Sequence, residues 1–255
     1  MTHRTHAGLA YRVDGAGPPA LLLHPAFTHG GAFDGEVAAF PDRTLVRVDL
    51  PGHGATRDHR DAPTMDAVAP ALAGILDAEN LDVVDVLGAS LGSLVAQDFA
   101  RRFPTRVRSL TVLGGYEVTD PTTAKAQQSE ILSWLPKLLF TPKRFRDYVA
   151  GISVHTPRGQ ERFRELAARF RARDMLSLRG MDKVIAPTRD DVLTCPLCIV
   201  VGEHDIPVVL DASRRWHAAA PASRFHVIDG AGHCANLDDP SAFQAVWTEF
   251  LASLG

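Results

Sequence analysis

Two spacings of apolar residues alternate along this chain. Short runs at Ala20–Leu23, Thr44–Leu50, Val83–Leu87, Ser109–Leu113, Cys195–Val201 and Arg224–Ile228 have the length and composition of strands, and several end in glycine or proline. Between most of them the apolar positions recur at three- and four-residue intervals, as in helices packed by one face. Such helices are predicted over Ala32–Phe40, stopped by Pro41, and from Thr64 onward, with Met65, Val68, Leu72, Ile75 and Leu76 on one side. A third carries Leu91, Leu94, Val95, Phe99 and Phe103 and stops at Pro104; a fourth runs to about Ala220. The last has Asp239 as N-cap, Pro240 in its first turn and Phe243, Val246, Trp247, Phe250 and Leu251 facing inward. Pro70, inside the second helix, predicts a kink or a missing hydrogen bond. Leu9–Asp14 alternates like an edge strand. Gly15–Ala20 imitates a dinucleotide fingerprint, but a strand rather than a helix follows and two prolines intervene, so it reads as a hairpin turn.

Strands alternating with helices predict an α/β fold with a mostly parallel central sheet covered on both sides. In such sheets reactive residues collect at the C-terminal ends of the strands. The alternation breaks between Glu117 and Asp191, where helices alone are expected, over Gln127–Phe140, Arg144–Ile152 and Glu161–Arg173. An all-helical insertion after a core strand predicts a lid. The expected division is therefore a core of residues 1–116 and 192–255, with a helical cap of residues 117–191 placed after the strand that ends near Gly115.

Bulk properties narrow the function classes. At 255 residues the chain can bury one large core. A net charge of −3 argues against a nucleic-acid partner. No apolar run approaches the length of a membrane span, and Met1 to Gly8 lacks the apolar centre of a signal peptide, so a cytoplasmic protein without membrane partners is expected. Cys195 and Cys198 lie three apart in an apolar run and are expected as two buried strand thiols on opposite faces, not a redox pair. The scattered histidines predict no metal site; His3 and His6 are expected to be disordered. The segment Lys143–Arg179 holds ten Lys or Arg against four Asp or Glu, which reads as a solvated helical face or as attraction for an anionic substrate.

The chemistry centres on Gly88-Ala89-Ser90-Leu91-Gly92, which joins a predicted strand to a predicted helix. In that context a GxSxG turn forces the serine into a strained conformation with its hydroxyl clear of the sheet, provided that its neighbours are small. A serine hydroxyl needs a base and an orienting acid. His233 and Asp205 follow later core strands, in the chain order Ser, Asp, His; Glu117 and Asp120 are the alternative acids. His233 is flanked by Gly230 and Gly232, expected to clear space around it, whereas His53 and Asp49 are expected to shape a turn and His24 to be structural, supporting the loop that follows it, rather than catalytic.

With His24-Pro25-Ala26-Phe27, Asp49-Leu-Pro-Gly-His-Gly54, the Ser90 turn, Gly202–Asp205 and Gly232-His233 in order, the sequence resembles the α/β-hydrolase superfamily over nearly its whole length. Its ending is similar to that of carboxylesterase and 3-oxoadipate enol-lactonase-like members. The resemblance implies a nucleophile at Ser90, a base at His233 and an orienting acid at Asp205. It further implies oxyanion donors in the backbone N–H groups of Ala26 and Leu91, and no cofactor. Serine at position 90 sets the chain apart from the dehalogenase and epoxide-hydrolase branches. The sequence departs from the family pattern at Pro25, which has no N–H, and at Ser93, where the family usually carries glycine; Ser93 is expected to pack differently or to hydrogen-bond near the nucleophile. The expected activity is cleavage of a carboxylic ester, thioester or lactone, possible anionic character included, with Phe27, Tyr116, Trp134 and Cys234 lining the substrate pocket. A ligand-binding signalling protein with a slow triad, and an acyltransferase or perhydrolase, are the alternatives; the oligomeric state is left open.

Overall fold

A computed structural model of the chain describes residues 3–122, 141–171, 174, 177–185 and 192–255. Eight strands form one sheet: β1 (Arg4–His6), β2 (Leu9–Asp14), β3 (Pro19–Leu23), β4 (Thr44–Val48), β5 (Val84–Ala89), β6 (Val107–Leu113), β7 (Leu197–Gly202) and β8 (Arg224–Ile228). Their spatial order is β1-β2-β4-β3-β5-β6-β7-β8. The pairs from β4 to β8 are parallel, and β1 and β2 are antiparallel to their neighbours. The described helices are α1 (Asp34–Ala39), α2 (Val68–Ala78), α3 (Leu91–Arg102), α4 (Pro142–Ser153), α5 (Pro157–Leu166), α6 (Met181–Val184), α7 (Pro207–Ala219), α8 (Ala235–Asp238) and α9 (Pro240–Ala252).

Alternate strand residues serve opposite faces of the sheet. Leu21, Leu23, Val86, Leu110, Val112 and Ile199 share one core with Leu72 and Ile75 of α2, Leu94, Val95 and Phe99 of α3, and Trp216 of α7. Ala20, Leu22, Leu87, Leu113, Cys198 and Val200 share the other with Phe243, Trp247 and Phe250 of α9. A strand buried on both faces is mostly apolar, which is why β3 and β7 stand out in the sequence as continuous runs; β5 is interrupted by Asp85, whose buried carboxylate is bonded by Arg43, Arg108 and Ser109.

The N-terminal part differs from expectation. Leu9–Asp14 is not the edge: β1 lies outside it, joined through Ala7 (φ 48°) and Gly8 (φ 77°), a two-residue turn with both residues left-handed, as a tight hairpin requires. His3 and His6, expected to be disordered, are placed. His6 ends β1 with its ring against Gly74, and His3 Nε2 lies 3.8 Å from Asp49 Oδ2. Gly15–Ala20 is not a hairpin turn, because β4 separates β2 from β3. The all-apolar β3 takes an interior place between β4 and β5, and the more polar β2 is displaced outward. Pro70 causes no kink: α2 starts at Val68 after a 3-10 turn, so Pro70 falls in the first helical turn, where its missing N–H has no intrahelical acceptor to lose. Of the two cysteines, only Cys198 is a buried strand thiol; Cys195 precedes β7 and is partly exposed, packed toward the opposite core. Between β6 and β7 the described residues form helices and turns and no strand, and the expected helix over 127–140 lies outside the described residues.

A buried ionic knot joins β2, β4 and α1. Arg47, almost wholly enclosed, binds Asp14 through Nε (2.9 Å) and Nη2 (2.8 Å), and its Nη1 reaches Asp34 (2.6 Å) and the Gly30 carbonyl (3.1 Å). Removing one partner of a buried pair leaves the other charge uncompensated. Arg47→Met is therefore expected to destabilise the protein by about 3–5 kcal/mol, measured as a lower urea midpoint with the slope unchanged.

Candidate active site

The GxSxG stretch folds as a sharp elbow between β5 and α3. Ser90 sits at φ 49°, ψ −116°, a conformation costing a non-glycine residue about 1–3 kcal/mol. Both glycines are required by crowding. A Cβ on Gly88 would lie 2.5 Å from the Gly92 carbonyl oxygen, and one on Gly92 would lie 2.0 Å from that of Leu23. The Ser90 N–H donates to Leu113 at the end of β6 (2.8 Å), tying the elbow to the next strand.

Three side chains distant in sequence meet there. His233 Nε2 is 2.7 Å from Ser90 Oγ, and His233 Nδ1 is 2.6 Å from Asp205 Oδ1. Asp205 and His233 are buried, 5% and 8% exposed, so their interaction is little weakened by water. With the carboxylate accepting from Nδ1–H, Nε2 is left as the acceptor that the serine hydroxyl needs. Asp205 stands in a turn after β7, its N–H bonded to Gly202 (3.1 Å), while the adjacent His204 N–H bonds Ala231 in the histidine loop (2.8 Å). The alternative acids are engaged elsewhere: Glu117 with Arg101 and Thr119, Asp120 with Arg215.

Space for the imidazole comes from glycines other than those expected. Gly114 (φ 57°) lies against His233, where a Cβ would be 2.4 Å from its carbonyl oxygen and 3.0 Å from Nδ1. Gly202 makes room for the Ala231 and Gly232 carbonyls. By contrast, a Cβ on Gly230 would meet nothing within 4 Å; that glycine serves a left-handed turn (φ 66°). Gly232 lets the loop approach Val154 and His155 instead. The Gly114-Gly115 pair at a strand end was the available sequence signal for this space.

The loop after β3 runs beside the elbow. His24 is fully buried; its Nε2 accepts from the Leu50 N–H (2.9 Å), so Nδ1 carries the proton and donates to the Pro25 carbonyl (2.9 Å). Thr28 donates to the same carbonyl through its hydroxyl (2.7 Å). Among the described residues no hydrogen bond occupies the N–H of Ala26 or of Leu91. Asp49 accepts from Gly30 (2.7 Å) and Ala55 (2.8 Å), and His53 Nδ1 donates to Pro51 (2.8 Å), so both shape the neighbouring turn.

A family model described as the alpha/beta hydrolase family matches residues 20–246, almost the whole chain. The chain belongs to the alpha/beta hydrolase family. Among curated relatives it is 28% identical to a 2-hydroxy-6-oxo-2,4-heptadienoate hydrolase of Pseudomonas putida, over 94% of this chain and 91% of the relative. Two solved structures share the fold: a thermophilic esterase from Thermogutta terrifontis (TM-score 0.80, 21% identity, covering 100% of this chain and 99% of the other) and the enol-lactonase from Burkholderia xenovorans LB400 (TM-score 0.75, 20% identity, covering 98% and 100%).

Of the residues expected to line this alpha/beta hydrolase's pocket, Phe27 (φ 70°) and Cys234 are buried in one apolar cluster with Phe145, Phe163 and Phe170; the Phe27 ring meets those of Phe145 and Phe170 edge-on. Tyr116 belongs to a different cluster, the core under α3, and Trp134 lies outside the described residues. Burial pushes the Cys234 thiol well above its ordinary range, so it stays protonated as a small apolar group in that cluster.

Burial also lowers two neighbouring imidazoles, His24 to about 4 and His53 to about 3, with mutual repulsion adding to the His53 shift and Asp49 offsetting part of both. Below pH 6.5 these two rings therefore bind more protons in the unfolded chain than in the folded one, so their contribution to stability falls as pH drops from about 6.5 toward these values; Glu36, whose carboxyl burial pushes up to about 8, offsets part of that fall by holding its proton in the folded chain alone. Urea midpoints measured between pH 7 and pH 5 should decline, and His53→Phe should flatten the decline.

Proposed function

We propose that this chain is a serine hydrolase that cleaves a small carboxylic ester, thioester or lactone through an acyl-enzyme. The observation that carries the reading is the continuous hydrogen-bonded line from Ser90 Oγ through the His233 ring to Asp205. Along that line the Ser90 proton passes to Nε2 as Oγ bonds to the substrate carbonyl carbon. Asp205 keeps the ring in the required tautomer and stabilises the imidazolium. The carbonyl oxygen gains the negative charge and is met by the N–H groups of Ala26 and Leu91. When the intermediate collapses, the leaving group takes the proton from Nε2. Water then attacks the acyl carbon with His233 again as base, and Ser90 recovers its proton. No cofactor enters these steps.

In this reading residues 117–191 form a cap that bounds the acyl site. Support comes from the apolar seam where Phe145 of α4, Phe163 of α5 and Phe170 pack on Phe27 and Cys234 beside His233. Steering of anionic substrates by the cap receives less support than the residue count implied. Lys143 and Arg164 pair with Asp147, Arg162 with Asp34 and Glu165, and Arg169 with Asp58. Matched esters with neutral and anionic acyl groups should therefore lose rate equally as salt rises.

Ser90→Ala tests the central claim. It should abolish turnover of 4-nitrophenyl butyrate, a loss of at least about a thousandfold in kcat, and prevent labelling by a fluorophosphonate, with the circular dichroism spectrum unchanged. Undiminished hydrolysis would refute the assignment. The Pseudomonas relative is named for a hydroxy-oxo-dienoate, a compound with no ester in its name. Such an acid belongs in the substrate screen beside esters and lactones.

A further inference from the structure

The two N–H groups assigned above to the oxyanion belong to the peptides Pro25–Ala26 and Ser90–Leu91, and both peptides are held from behind in the same way. In each, the carbonyl oxygen accepts from the backbone N–H and the hydroxyl of the residue three positions later. The Ser90 carbonyl accepts from the Ser93 N–H (2.9 Å) and Ser93 Oγ (2.6 Å). The Pro25 carbonyl accepts from the Thr28 N–H (3.4 Å) and Thr28 Oγ1 (2.7 Å), with the His24 Nδ1–H (2.9 Å) as a third donor. Thr28 and Ser93 are 2% and 0% exposed, so neither hydroxyl is there to meet solvent.

We propose that Thr28 and Ser93 are positioning residues for the oxyanion site, each fixing by its hydroxyl the peptide that presents one donor; the proposal rests on the hydrolase reading above. The argument is geometric. All peptide bonds described are trans, and in a trans peptide the C=O and N–H point in opposite directions. Anchoring the oxygen on one side therefore aims the hydrogen at the other. The two peptides are neighbours, because the missing Cβ of Gly92 lets the start of α3 touch the Leu23 and His24 carbonyls. A carbonyl that accepts hydrogen bonds is also polarised, which strengthens its own N–H as a donor. Ser93 stands where the family usually carries glycine, and glycine would supply the backbone donor only. Pro25, at the other peptide, has a ring-fixed φ but no N–H, so the hydroxyl of Thr28 and the ring of His24 carry the orientation from the carbonyl side.

The test uses Ser93→Ala, Thr28→Val and Thr28→Ser in the full chain, with urea midpoints recorded for each. Ser93→Ala and Thr28→Val should each lower kcat for 4-nitrophenyl butyrate by roughly fivefold while KM changes less than twofold, about what one neutral hydrogen bond is worth. Thr28→Ser should restore most of the loss. In the free protein, the amide nitrogen resonance of Leu91 should move in Ser93→Ala, and that of Ala26 in Thr28→Val but not in Thr28→Ser. Unmoved amide resonances would overturn the proposal, as would a kcat loss in Thr28→Ser as large as in Thr28→Val. A wild-type chain that turns over no ester in the screen sinks the hydrolase reading separately, and the amide resonances alone then decide whether the hydroxyls orient these peptides.

Discussion

The structure depends on one close approach. The first turn of α3 is pressed against the ends of β3 and β5 until backbone touches backbone, at a separation that no side chain at position 88 or 92 could share. Because the chain must turn from strand to helix within that contact, Ser90 is forced to φ 49°. The strain is held by what surrounds it: the Ser90 N–H bonded to β6, and Leu94, Val95 and Phe99 of α3 buried in the core behind. Burying a helix of such side chains yields several times the 1–3 kcal/mol that the strained residue costs. Among the described residues the Leu91 N–H, at the start of α3, is left without a hydrogen-bond partner at the sheet's edge.

A hydroxyl lifted clear of the sheet is only half of the site, because the imidazole must reach it from beyond β8, three strands away. Gly114 and Gly202 give the histidine loop passage over the ends of β6 and β7. What holds the loop there comes from the segment between β6 and β7. Asp238 accepts from Gly232 (2.8 Å), His155 (2.8 Å) and Thr156 (2.7 Å from N, 2.6 Å from Oγ1), and Cys234 N–H donates to the Ser153 carbonyl at the end of α4 (2.7 Å). One carboxylate thus ties the residue before His233 to the junction of α4 and α5. The helices between β6 and β7 are thus fastened to the His233 loop on both sides of the histidine, at Gly232 and at Cys234.

How far the sequence foretold this depends on what each feature is made of. The parallel strands were legible because burial on both faces forces an apolar run, and the elbow was legible because glycine, serine and glycine between a strand and a helix have few other uses. The hairpin of β1 was not, since three polar residues and an Ala-Gly turn carry no hydrophobic pattern. Gly230 and Gly232 were assigned the wrong task because a glycine in a sequence does not say whether it is needed for φ or for space. Pro70 misled for a related reason, as its effect turns on whether the helix starts before or after it by a single turn. The basic count of Lys143–Arg179 could not foresee Asp34 and Asp58, which arrive from the core through the fold. Asp238 was hidden beside Asp239, whose task as the cap of α9 was the legible one.

Three buried imidazoles near the sheet's edge show that neighbours, not residue type, decide the chemistry. His24 has an N–H donor on Nε2 and a carbonyl on Nδ1, so its tautomer is fixed and both nitrogens are occupied. His53 donates from Nδ1 to a carbonyl, and its ring packs on Phe170 and His24. Among the described residues neither ring is hydrogen-bonded to a carboxylate, and burial keeps both neutral at physiological pH. His233 alone of the three has a carboxylate on one nitrogen and a hydroxyl on the other. His233 is thus set apart from two still more deeply buried histidines by the partner at each nitrogen, and the base role proposed for it rests on that difference.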